Sequence, residues 1–147
     1  MSVLKGSDEW RFFYTIKEAV EHSEVWFANE PDGTLISLKH EGRWVVPFWP
    51  HEEIAKLASR KMGVPGETNP MPLDYWVNEE LDIAARADDC LIALCPSDEA
   101  ALKTVDEVFT ALASYASDPQ AYWDRHFAQD QFFITQNLKA GPKGTLP

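Results

Sequence analysis

The chain reads as a small α+β domain, in which a mainly antiparallel sheet, a three-strand meander plus one later strand, is packed by helices. Three observations predict it. Apolar runs at residues 24–28, 34–39 and 43–49 are separated by the turn signals Pro31-Asp32-Gly33 and Glu41-Gly42, the pattern of hairpin-linked strands. Residues 90–95 are apolar throughout, as in a strand covered on both faces. Between these runs, apolar residues recur at helical spacing. With 147 residues, 45% of them hydrophobic, the chain is long enough for one domain with its own core.

Each element has a local reason. Ser7-Asp8-Glu9 can cap a first helix, with Phe12, Phe13, Ile16, Ala19 and Val20 on one stripe down to about His22. The third run is apolar on both faces: Trp44, Val46 and Phe48 alternate with Val45 and Trp49. Pro47 opposes a central position because it cannot donate to a ladder. A bulge or strand end at Pro47, with cover over the outer face, reconciles the two. Pro50 suits the first turn of the next helix, Glu52 and Glu53 suit its dipole, and Ile54, Leu57, Ala58 and Met62 give its buried stripe.

Residues 63–71 read as a loop, since Gly63, Pro65, Gly66, Asn69 and Pro70 all break regular structure. Pro72 and Asp74 open a further helix with Leu73, Trp76, Val77, Leu81 and Ala84 inward. After the strand 90–95, Ser97-Asp98-Glu99 is expected to start a long helix carrying Val105, Val108, Phe109 and Leu112. Residues 8–117 thus form the core domain. Residues 118–140 read as an appended helix, with Tyr122, Trp123 and Phe127 at helical spacing, plus a short strand at 132–136. Residues 141–147 read as a disordered tail.

The formal charge is −11. Ten acids fall in residues 74–107 (Asp74, Glu79, Glu80, Asp82, Asp88, Asp89, Asp98, Glu99, Asp106, Glu107) against Arg86 and Lys103, a net −8. Repulsion from phosphate argues against nucleic acid as a partner. No polybasic segment and no long apolar run argues for a membrane. The N-terminal Met1-Ser2-Val3-Leu4-Lys5-Gly6 lacks the apolar block of a signal peptide, so a cytoplasmic location is expected. The acids are either a solvated surface or a face for a basic partner, with Glu79, Glu80 and Asp82 as its candidates.

The search for chemistry finds no Gly-rich phosphate loop, nucleophile elbow, Cys-x-x-Cys or His-x-x-x-His pair. No catalytic residue, metal or cofactor is assigned. The histidines 22, 40, 51 and 126 are far apart in sequence and need the fold to assemble them. His51 stands out at a helix start beside Glu52 and Glu53, where it could act as acid or base; the plainer reading is a first-turn residue bonding locally. Arg43, Trp44, Trp49, His51 and Trp76 are the candidate pocket or interface residues. Core packing is the commoner fate of such tryptophans, and Trp26, Trp44, Phe48 and Trp76 are expected to be mostly buried. Cys90 and Cys95 should not pair with each other. Both read as buried thiols, with a helix-activated Cys95 thiolate as the sharper alternative.

Some residues carry a resemblance. Glu24-Val25-Trp26, a turn, Val46-Pro47-Phe48-Trp49-Pro50-His51 entering a helix with Ala55, Pro72-Leu73 opening the next, then an acidic helix and the strand 90–95 together resemble the bacterial family of domains of unknown function numbered 2750. The likeness spans roughly residues 10–112 and rests most on the valine-proline to tryptophan-proline junction. It implies a small α+β domain and supplies no catalytic residue. Three functional readings stay open. The first is a non-enzymatic acidic binding module, such as an inhibitor or immunity-type protein for a basic partner. The second is a small-molecule-binding or hydrolytic enzyme using His51 in a Trp-lined pocket. The third is a structural homodimer joined through the C-terminal aromatic segment.

Overall fold

The computed structural model describes residues 3–64, 66–87, 90–97 and 100–128. After a short 3-10 turn, Val3–Lys5, helix α1 (Asp8–His22) begins where the extended Ser7 accepts a bond from the Trp10 amide at 3.1 Å. Asp8 and Glu9 in its first turn complement the helix dipole. It ends at Ser23, whose φ of 57° turns the chain straight into β1 (Glu24–Asn29). α1 is embedded rather than laid on a surface. Phe12, Ile16 and Ala19 join the main core, and the polar Arg11, Lys17 and Glu18 are buried too.

The strands depart from a simple meander. β2 (Leu38–His40), β3 (Arg43–Phe48), β5 (Cys90–Leu94) and β6 (Leu102–Lys103) form one sheet in the order β2-β3-β5-β6. β1 instead pairs antiparallel with β4 (Glu67–Pro72) in a separate two-stranded sheet. The sheets meet where Trp26 and Trp49 exchange both backbone hydrogen bonds at 2.8 Å. β3 and β5 run parallel, and the other pairs antiparallel. The parallel pair requires a long crossover, supplied by everything from α2 (Glu52–Lys61) to the helix after β4.

The expected loop over 63–71 is therefore partly strand, and its prolines explain both the misreading and the pairing. Pro70 and Pro72 lie opposite Trp26 and Glu24. The Leu73 amide bonds to the Ser23 carbonyl, which sets the hydrogen-bonded positions at 73, 71 and 69. The intervening prolines point their nitrogens away from β1, where no donor is needed. Pro47 is solved the same way. Phe48 accepts from the Cys95 amide, so alternate residues of β3 face β5 and Pro47 faces the other side. There β2 has already ended, opposite Val45. The expected bulge or strand end at Pro47 is thus replaced by a strand that runs on to Phe48.

After β4 the chain is helical through α3 (Leu73–Tyr75), a π-helical turn (Trp76–Glu80) and α4 (Leu81–Arg86). Trp76, Leu81 and Ala84 are buried as the stripe predicts. The helix expected from Ser97 starts later. β6 intervenes, and α5 (Val105–Ser117) opens at Thr104, whose side chain forms a capping box with Glu107. Two further expectations at helix starts and stripes are revised. α2 begins at Glu52 with His51 as its N-cap, so Pro50 precedes the helix, and Leu57 is exposed.

α6 (Pro119–His126) is capped by Asp118. It sends Tyr122 and Phe127 into the main core, where the Tyr122 hydroxyl donates to the Phe13 carbonyl at 2.7 Å. The strand expected at 132–136 and the tail 141–147 lie outside the described residues. The four-stranded sheet has unequal faces. Val45, Leu91 and Ala93 form a small cluster on one. Phe48, Ile92 and Leu94 join the main core, while Trp44 remains 47% exposed, against the expectation that it is buried.

Candidate functional sites: a histidine–carboxylate cluster and an apolar groove

The N-cap position of α2 favours Ser, Thr, Asp or Asn because a side-chain oxygen there can accept from the helix amides. His51 occupies it and makes no side-chain capping bond. Its ring instead reaches α1, where Nε2 lies 2.7 Å from Glu18 Oε1. The local-bonding reading of His51 is corrected by this contact over 33 residues. His22, one turn beyond Glu18 on α1, brings its Nε2 to 3.5 Å from the same oxygen. The Tyr14 hydroxyl donates to Glu18 Oε1 at 3.4 Å and lies 3.2 Å from His51 Nε2. Lys17 Nζ holds the other oxygen, Oε2, at 2.9 Å and also bonds Glu21.

The electrostatics follow from this packing. Burial alone would push the Glu18 carboxyl up. The hydrogen bond from His51 and the Lys17 ammonium outweigh it and hold the group at about 2. Glu18 is therefore a buried, permanent carboxylate. Burial, with the Glu18 charge second, pushes the Tyr14 phenol well above its ordinary range, so it stays a hydrogen-bond donor. The hydroxyl recorded against His51 is thus a poor nucleophile. Chemically, the cluster can hold a proton between imidazole and carboxylate, or offer its nitrogens and one oxygen to a cation.

The second site is a groove of about 340 Å³ between the four-stranded sheet and the helix after β4. β3 contributes Trp44, Val46 and Phe48; β5 contributes Cys90 and Ile92; α4 contributes Ile83 and Ala84. Two large apolar side chains remain open to solvent there, Trp44 and the 60% exposed Ile83. Glu80, from the π-helical turn, is its charged lining residue among those described. Burial and the neighbouring Glu79 push the Glu80 carboxyl up. Lys39 Nζ sits 4.6 Å from the Trp44 ring centroid, so a cation on this ring is already part of the fold.

The remaining candidates separate from one another. Trp49 and Trp76 are 0% exposed and offer no surface to a pocket. Trp49 donates from Nε1 to the Pro96 carbonyl at 3.1 Å, and Trp76 packs on Phe48 with ring centroids 5.3 Å apart. Arg43 is exposed at the start of β3, opposite His40. Glu79 is exposed, and Asp82 pairs with Arg86 at 3.0 Å. Asp88, Asp89, Asp98 and Glu99 lie outside the described residues. Both cysteines are free. The activated-thiolate reading of Cys95 fails, because the residue is wholly buried and burial pushes its thiol up to about 12.

A model of the family described as Protein of unknown function (DUF2750) matches residues 12–112. The chain belongs to this family. The DUF2750 match runs from Phe12 in α1 to Leu112 in α5, so it takes in Glu18, His22 and His51 and every residue lining the groove, and leaves α6 outside. No curated protein and no solved structure matches the sequence. Among the described residues no helix is long and apolar enough to cross a membrane.

The sequence signal for the histidine cluster was present but faint. Glu18 and His22 are four apart, which on a helix stacks them on one face. Nothing in the sequence joins that pair to His51; the fold does.

Proposed function

We propose that this protein is a non-enzymatic binding module whose groove takes an apolar segment carrying a positive charge from a basic protein partner. The observation that carries this is the meeting of exposed Trp44 and Ile83 with the half-buried Glu80 in one apolar groove. A volume of about 340 Å³ is enough for one or two side chains of a partner. A cation delivered beside Glu80 would offset the burial and the Glu79 repulsion that now disfavour its charge. Trp44 adds an aromatic face of the kind enriched at interface anchors.

An inhibitor or immunity-type role is the particular form of this reading that the acids of residues 74–107 support, through steering of a basic partner. The same reading sets the protein in a bacterial cytoplasm, with two free thiols as its support, and expects neither nucleic acid nor a membrane as partner. Catalysis through His51 is less favoured. Its Nε2 is engaged by Glu18, and its hydroxyl neighbour is a phenol held protonated. Self-association through the C-terminal aromatics is also less favoured, since Tyr122 and Phe127 are already buried in the chain's own core.

The test uses a short leucine–lysine peptide as probe and a leucine–glutamate peptide as its control, each titrated into labelled protein by NMR. The lysine peptide should shift the Trp44 indole and Ile83 methyl signals, and Trp44→Ser should abolish the shifts. Equal shifts from the glutamate peptide, or shifts confined to other surfaces, would overturn the reading.

A further inference from the structure

The cluster of Glu18, His22 and His51 sets two imidazoles against one oxygen of a buried carboxylate. An N-cap histidine that caps nothing contributes little to its own helix. An exposed histidine on α1 gains little from a carboxylate at 3.5 Å. Yet both imidazoles converge on one oxygen of a carboxylate whose other oxygen is already held by Lys17.

We propose that Glu18 Oε1, His22 Nε2 and His51 Nε2 bind one divalent transition-metal ion of the zinc class, with a further position open to solvent. One ligand atom from each of the three residues lies within 4.8 Å of the other two. Zinc bonds of about 2.0–2.2 Å in a tetrahedral shell set donors about 3.3–3.5 Å apart. His22 and Glu18 stand at 3.5 Å already, and His51 and Glu18, at 2.7 Å, need open by less than about 1 Å. Two imidazoles and one carboxylate are donors that select zinc-class ions over magnesium or calcium, which prefer all-oxygen shells.

The surroundings fit the ion. Glu18 is buried, which holds its carboxylate in place between the two helices. Lys17 fixes the far oxygen in the manner of an outer-shell partner and leaves Oε1 as the donor. The buried Tyr14 hydroxyl, near both Oε1 and His51 Nε2, donates to Oε1 and helps hold it in place. His22 is exposed and His51 half-buried, which leaves an entry path from solvent. Glu21 beside Lys17 keeps the local charge at −1. This site shares no residue with the groove, so its failure would leave the binding reading untouched.

The experiment uses the untagged full chain, stripped with a chelator and titrated with Zn2+ at neutral pH against a chromogenic competitor. One Zn2+ per chain is expected. His22→Ala should weaken binding by at least about tenfold while leaving the fold intact by circular dichroism, because His22 is exposed. His40→Ala, on a distant strand, should bind as the wild type does. Ring signals of His22 and His51 should move on adding Zn2+, and those of His40 and His126 should not. Absence of stoichiometric uptake, wild-type affinity in His22→Ala, or shifts confined to His40 or His126 would each overturn the proposal.

Discussion

Glu18 on α1 and His51 at the start of α2 hold one another at 2.7 Å, joining two helices whose contact residues are 33 positions apart. Lys17 completes the arrangement from the other oxygen. Removing the carboxylate takes the nearer of two partners from the buried Lys17 ammonium, leaving it Glu21, and frees the imidazole. Glu18→Ala should therefore destabilise by about 3–5 kcal/mol in chemical denaturation. Disrupting the exposed Lys56–Glu52 pair, 3.2 Å apart on α2, should cost about 0.5 kcal/mol or less. Comparable losses from the two would mean that burial does not strengthen the Glu18 interactions.

The same carboxylate gives a pH signature. Its folded-state pKa is depressed from 4.5 to about 2, so the folded form holds the proton more weakly than the unfolded chain. The associated stability is then fully present above about 4.5 and fades as pH falls towards 2. Unfolding free energies of the wild type and Glu18→Gln, measured from neutral to strongly acidic pH, should converge in that window. A constant difference across it would contradict the assignment.

The tryptophans should divide sharply. Trp49→Ala removes a wholly buried ring and its bond to the Pro96 carbonyl, and should cost about 3–5 kcal/mol. Trp44→Ala removes a half-exposed ring and should cost about 1 kcal/mol or less. Melting curves decide it, and similar losses at both positions would mean that the groove is closed in solution.

Much of this was legible in the sequence. The apolar run from Cys90 predicted a covered strand, and β5 is buried from Leu91 to Leu94. The stripe of Trp76, Leu81 and Ala84 predicted a buried helix face. The failures have physical causes. Pro70 and Pro72 hid β4, because a proline pointing away from its partner strand looks the same in sequence as one that breaks a strand. Ser97-Asp98-Glu99 resembles a helix cap, but Thr104 with Glu107 is the working one. β1 left the meander because pairing partners are chosen in three dimensions: β4 lies 38 residues beyond the end of β1, at Glu67 against Asn29. His51 was legible as unusual, whereas its partners on α1 depend on how two helices cross.

The thiols offer a quick check of the packing. Cys95 is wholly buried with its thiol pushed up to about 12, and burial also pushes up that of the half-buried Cys90. Native protein at neutral pH should react slowly at Cys90 and not at Cys95, and denaturation without reductant should release two thiols. Fast native labelling of Cys95 would contradict its position beneath α1.

The most direct test of the binding proposal is the affinity of the leucine–lysine peptide for the triple variant Glu79→Lys, Glu80→Lys, Asp82→Lys as ionic strength is varied. At low salt the reversal should weaken binding by at least about tenfold, with the gap narrowing as screening shortens to about 8–10 Å near physiological salt. The variant should remain folded by circular dichroism, since Glu79 is exposed and the Asp82–Arg86 pair lies at the surface, with any loss of stability coming from half-buried Glu80. Unchanged affinity and unchanged salt dependence would mean that these acids only solvate the surface, and that the groove does not select a basic partner.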